Sequence, residues 1–298
     1  MNCPHYVCGL FYLIMDKKKL AKILSFNEEN KERITSACNK FYSILGRGYA
    51  VVIPDMQALA KTLFMNEGFK ILHIPMIDTE ISAYLLKLNE RKYIVVNTEK
   101  SPANNNFAIA HELYHILIQP NTTGDVEEVY IDTYEDNNEE MMANAFAGNI
   151  LMPREDFITT AGFVRERMGL VSTVKGRYYF EMAVILGLMS YYKTTYMAVA
   201  IRCFETAVLD FKDDGLVEFV LSKNCEKELK TVFDNLAVKV GADSIMNPTR
   251  EDDYCVLLQE VKEKAQKYKA DGTLTEEDYI YRLMGMEEAY RSICGRKD

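Results

Sequence analysis

Two of the four histidines stand four residues apart, in His111-Glu112-Leu113-Tyr114-His115. On a helix, side chains four apart share one face, so both imidazoles can reach a single ion. Glu112 lies about 100° round the axis from His111, placed to reach a water beside that ion without ligating it. A zinc ion lowers the pKa of a bound water to about 7, and an adjacent carboxylate can take the proton and hand it to a leaving amine. The pattern is specific. With four histidines and 27 glutamates in 298 residues, a shuffled chain would contain it about 0.005 times. The plainer alternative is a helix carrying two buried, hydrogen-bonded histidines.

An open site of this kind needs a third protein ligand. His5 lies in the N-terminal leader, and His73 in a strand-like run whose alternation (Ile71, His73, Pro75) reads as facing solvent, so a carboxylate is expected. Glu140, Ala143, Asn144, Ala147 and Leu151 fall on one helical face, and the small alanines let that face lie close to the histidines. The spacing therefore favours Glu140 as the third ligand. Glu139 is turned off this face and suits the helix N-terminus, where a negative charge is favourable. The same N-terminal role is the alternative for Glu140.

Punctuation and period predict the elements that must hold these groups. Residues 16–47 read as two short helices closed by Gly46 and Gly48, and 54–66 as a third that opens at Pro54. Three β-like runs follow, Phe69–Met76, Ile81–Leu88 and Tyr93–Val96. The last two are joined by a hairpin-sized link, so a small antiparallel sheet is expected. Ser101-Pro102 opens the histidine helix, which runs to about Ile118 before Pro120. Asn137 and Asn138 can cap the Glu139–Met152 helix, which Pro153 ends. Two or three helices occupy 154–205, and the tail is mostly helical, with a Thr275-x-x-Asp278 capping box.

The run Phe107-Ala-Ile-Ala-His-Glu-Leu-Tyr-His-Ile-Leu117, followed by Glu140-x-x-Ala-Asn-x-Phe-Ala-x-x-Ile-Leu-Met-Pro153, closely resembles the ImmA/IrrE family of zinc metallopeptidases. The Ile94–Asn97 strand and the Met56–Leu63 helix fit as well, and the resemblance spans about residues 50–205. It implies a gluzincin-like site: one Zn2+ per chain on His111, His115 and Glu140, with Glu112 as general base. It also implies a protein substrate, a helix-turn-helix repressor of a mobile element or stress response. Tyr114 departs from the pattern, standing where the family usually has glycine, and must find room on its helix.

The fold class expected is α+β, a small antiparallel sheet packed on a zincin-like helical core. The domain reading is an N-terminal helical extension (1–49), a metallopeptidase domain (50–205) and an acidic, mostly helical C-terminal region (206–298). Composition is that of an ordinary globular protein and excludes a disordered or collagen-like chain: 48% apolar, 27% charged, net charge -9. That charge argues against broad binding to nucleic acid or anionic membrane. Seven scattered cysteines suit a reducing cytoplasm. The ten-residue apolar run Tyr6–Met15 is too short to span a membrane and precedes its lysines, unlike a secretory signal, which leaves Met15 as an alternative start.

Weaker signals point elsewhere. Ala183, Gly187 and Ser190 with Ala198–Arg202 have a helix-turn-helix cadence but only Lys193 and Arg202 as bases, and read as core packing. Asp210-x-Lys212-x-Asp214-Gly215 starts like a calcium loop and fails at its third and twelfth positions. The acidic stretch 121–136 reads as a solvated loop, or as a lid that favours basic substrate segments. The rival to an enzyme is a zinc-stabilised regulator, or antitoxin-like partner, acting by contact. A purely structural site would have no need of Glu112.

Overall fold

A computed structural model of the chain describes residues 15–78, 81–88, 91–119, 138–169, 174–222 and 227–295. Helix α1 (Lys17–Glu29) begins where Asp16 Oδ1 accepts from Lys19 N at 2.7 Å. Helix α2 (Lys31–Ile44) ends as Gly46 turns left-handed, φ 69°, and Arg47 N donates back to Tyr42 O at 2.8 Å. Helix α3 (Met56–Asn66) is capped by Asp55 rather than opened at Pro54. Strands β1 (Phe69–Ile74), β2 (Ala83–Leu88) and β3 (Arg91–Asn97) precede α4 (Pro102–Leu113), which continues as a π-helical turn at Tyr114–Ile118. Then come α5 (Asn138–Leu151), α6 (Arg154–Met168), α7 (Val174–Tyr192), α8 (Tyr196–Glu205), α9 (Asp214–Leu221), α10 (Lys227–Val240), α11 (Tyr254–Ala270) and α12 (Glu276–Cys294).

The fold is α+β, but the sheet is mixed. Its order is β1-β3-β2: β2 pairs antiparallel with β3, and β1 pairs parallel with β3, from Phe69↔Lys92 to Ile74↔Asn97. The expected all-antiparallel sheet is corrected at β1. A short link forces antiparallel pairing on β2 and β3. The connection from β1 to β2 instead skips a strand position, so β1 lies beside β3 running the same way.

Each face of this sheet is covered. Phe69, Ile94, Val96, Ala83 and Leu85 join the main core with α2 to α8. Leu72, Ile74, Tyr93 and Val95 point the other way, into a second cluster with Tyr254 of α11 and Tyr290 of α12, whose rings stack at 3.7 Å. The unbroken apolar run Tyr93–Val96 follows from that double burial. The C-terminal segment also closes the outer edge of β1: Asp253 N donates to His73 O at 2.8 Å, while its carboxylate accepts from His73 N at 2.8 Å and meets Nδ1 at 3.0 Å. His73 is therefore half-buried against Asp253 instead of facing solvent.

The main core takes in Leu20, Ile34, Phe41 and Tyr42 from α1 and α2, and Leu216, Val220, Phe233 and Ala237 from α9 and α10. Helices α7 and α8 carry the helix-turn-helix cadence and meet at 109°, yet α8 is buried almost throughout. Gly187 lets α6 approach: a Cβ there would stand 3.0 Å from Val164 Cγ1 and Met168 Cε. Arg202 is turned inward, donating from Nε to Met152 O at 3.0 Å, and the exposed Lys193 is tied down by its bond from Nζ to Pro54 O at 3.1 Å. Asp213 of the rejected calcium pattern caps α9 and accepts from Arg177 at 2.8 Å. Among the described residues no single helix is long and apolar enough to cross a membrane.

Candidate metal site

Helix α4 starts with Ser101 Oγ accepting from Asn104 N and with Pro102 in its first turn, both ordinary helix-start chemistry. From Ala103 to Leu113 every residue is buried. Asn106 ties this end to the turn between α7 and α8, donating from Nδ2 to Lys193 O at 2.8 Å. At the other end the winding widens. Gln119 N donates to Tyr114 O at 2.9 Å, five residues back, so His111 lies on α-helix and His115 on the π turn.

Helix α5 crosses this segment closely because Ala143 and Ala147 at the contact are fully buried and small. Phe146, also fully buried, packs edge-on to Phe41 of α2 at 5.8 Å and against Tyr114 at 5.6 Å. The N-terminal helices thus support the histidine helix and α5 together. Tyr114 finds its room here. It is 3% exposed, lies edge-on to His115 at 5.6 Å and donates its hydroxyl to Gln119 Oε1 at 2.9 Å.

The result is a convergence of donors. His111 Nε2 and His115 Nε2 approach to 3.1 Å. Glu140 places Oε2 3.1 Å from His111 Nε2 and Oε1 3.5 Å from His115 Nε2. One ligand atom from each of the three residues lies within 4.8 Å of the others. Four-coordinate zinc at about 2.0–2.1 Å from each donor separates neighbouring donors by about 3.3 Å, so a donor set of this size and chemistry fits such an ion. Protonation agrees. Burial first, then the neighbouring His111, lowers His115 to about 4, against an opposing pull from Glu140. Burial alone would raise Glu140, but the hydrogen bond and charge of His111, with the charge of His115, hold it below the usual carboxylate range. The site presents a neutral imidazole and a carboxylate, as metal ligation requires.

Glu112 is 6% exposed on α4 and is not one of the three convergent residues. Two contacts were not read from the sequence. Asn144 Oδ1 stands 3.0 Å from His111 Nδ1, and Glu139 Oε1 stands 3.6 Å from His115 Nδ1. The stripe Glu140–Ala143–Asn144–Ala147 held the signal for the first, a polar side chain among alanines. Glu139 lies in the first turn of α5 and also reaches toward the histidines. The acidic stretch 121–136, with its lid reading, lies outside the described residues.

Residues 64–204 match Peptidase_M78, the IrrE N-terminal-like domain, a match that supports an ImmA/IrrE-type metallopeptidase over that span. Comparison with curated proteins finds no match.

Proposed function

We propose that the protein is a zinc-dependent endopeptidase that hydrolyses a peptide bond in a specific protein, with residues 50–205 as its catalytic unit and 1–49 and 206–298 as helical extensions. The observation that carries this reading is the meeting of His111 Nε2, His115 Nε2 and the Glu140 carboxylate at 3.1–3.5 Å. These three residues would hold one zinc ion per chain. Bound there, zinc supplies Lewis acidity toward the scissile carbonyl. Glu112 acts as general base, taking a proton from the water as its oxygen bonds to the carbonyl carbon and then delivering that proton to the amine nitrogen, which lets the peptide C–N bond break. Its place one residue after His111, outside the ligand set, suits that role.

Substrate orientation comes from the sheet. Asp253 closes β1 at His73, and β3 is central, so among the described residues β2 is the edge offered to an extended substrate segment. The substrate class we favour is a helix-turn-helix repressor, on the family match of residues 64–204, and the place of action is the cytoplasm. The test incubates the full chain and zinc with the repressor encoded beside its gene, using Glu112→Gln as control. Discrete cleavage by the parent and none by the variant supports the reading. A parent that binds the repressor and leaves it whole favours regulation by contact.

A further inference from the structure

The geometry points to Asn144 as the residue that orients His111 for metal binding, an inference that rests on the metal site proposed above. Helix α5 grips one imidazole at both nitrogens. Glu140 meets Nε2 of His111 at 3.1 Å, and Asn144, one helical turn later, meets Nδ1 at 3.0 Å. Four residues rise about 6 Å along a helix. That spacing sets the two side chains on opposite edges of a ring lying across α5.

The chemistry of the second contact decides the first. The atom facing Nδ1 is the amide oxygen Oδ1, which only accepts. Nδ1 must then carry the proton, and in a neutral imidazole the Nε2 lone pair is left free. It faces His115 Nε2 and the Glu140 carboxylate, where an ion would sit. With no acceptor at Nδ1, the proton can move to Nε2, and the ring loses both its ligating tautomer and its fixed rotation. Partners of this kind raise the basicity of the ligand, and their loss typically costs 10–100-fold in metal affinity. Ala143 and Ala147 on the same face offer no polar side chain that could substitute. Asn144 touches neither substrate nor metal in this reading. It is a positioning residue.

The test measures Zn2+ and Co2+ dissociation constants of the full chain by chelator competition, with the Co2+ absorption spectrum as a report of ligand geometry. The variants are Asn144→Ala and Asn144→Asp, each with its metal-free thermal unfolding recorded. Alanine removes the acceptor, whereas aspartate keeps the shape and can only accept. We expect roughly 10–100-fold weaker binding and an altered Co2+ spectrum for Asn144→Ala, with Asn144→Asp at parity with the parent or tighter. Parental affinity in Asn144→Ala overturns the inference. So does a tenfold or greater loss in Asn144→Asp, a result that decides even if the alanine chain fails to fold. A parent that takes up neither metal overturns the site reading itself and this inference with it, an outcome separate from failure at Asn144 alone.

Discussion

His111 and His115 bring their Nε2 atoms to 3.1 Å across a change of helical winding, the first on α4 and the second on the π turn that continues it. In a uniform α-helix, residues four apart lie roughly 40° apart around the axis. The wider turn changes that relation at the second histidine, and π turns recur at functional sites for such reasons. The segment is held there from outside. Lys40 of α2 donates to Ile118 O at 3.0 Å, and Ala143, Phe146 and Ala147 of α5 are buried against it.

Metal content follows from this pairing. The purified chain is expected to hold one zinc ion, and His111→Ala or His115→Ala to lose it, because two remaining ligands bind far more weakly than three. Elemental analysis after dialysis measures this. Full metal in both variants would sink the assignment of the two histidines.

Glu112→Gln separates chemistry from ligation. The amide keeps the volume of the carboxylate in its buried place but is no base, so metal and fold are expected to stay while cleavage falls roughly 10²-fold or more. Single-turnover cleavage of the repressor, beside metal content, reads both. Parental cleavage by the variant would move the base elsewhere.

Much of the site was legible in the sequence because its spacing is short-range. His111 to His115 and Glu140 to Asn144 are each one helical turn, and alanines at 143 and 147 announced a close crossing. What was hidden depends on distant partners. Tyr93–Val96 shows a strand buried on both sides, but the cover on the second side, Tyr254 and Tyr290, lies more than 150 residues away. The parallel pairing of β1 with β3 has no local mark, since only the β2–β3 link is short enough to impose a direction. Nor does a π turn differ from an α-helix in its apolar period over five residues.

Tyr114 offers a test of how much a buried aromatic on the π turn contributes beside the metal site. Its ring is buried between His115 and Phe146, and its hydroxyl is bonded to Gln119. Tyr114→Gly removes a buried aromatic and adds the backbone freedom of glycine, together costing about 4 kcal/mol. The three convergent residues are untouched, so metal binding is expected to remain once the variant is folded. Urea unfolding of the metal-free chains measures the cost. A loss below about 1 kcal/mol would mean that the ring contributes little to the packing.

Glu140 and Glu139 are neighbours at the start of α5, and substituting each tells ligand from support. Both are in the first helical turn, where a carboxylate gains only about 0.3–1 kcal/mol from the helix dipole, so stability does not distinguish them. Their reach does. Glu140 meets the Nε2 atoms of both histidines at 3.1 and 3.5 Å, on the side where an ion would bind. Glu139 stands 3.6 Å from Nδ1 of His115, beyond hydrogen-bonding distance and on the far side of that ring. Glu140→Ala is expected to strip the metal at micromolar chelator and to abolish cleavage. Glu139→Ala, which removes an outer partner held at longer range than Asn144, is expected to weaken metal binding by less than about tenfold and to leave cleavage measurable. Chelator competition on both variants, with cleavage assayed at saturating zinc, gives the comparison. Equal losses in the two would mean that both carboxylates ligate, and a larger loss in Glu139→Ala would exchange their roles.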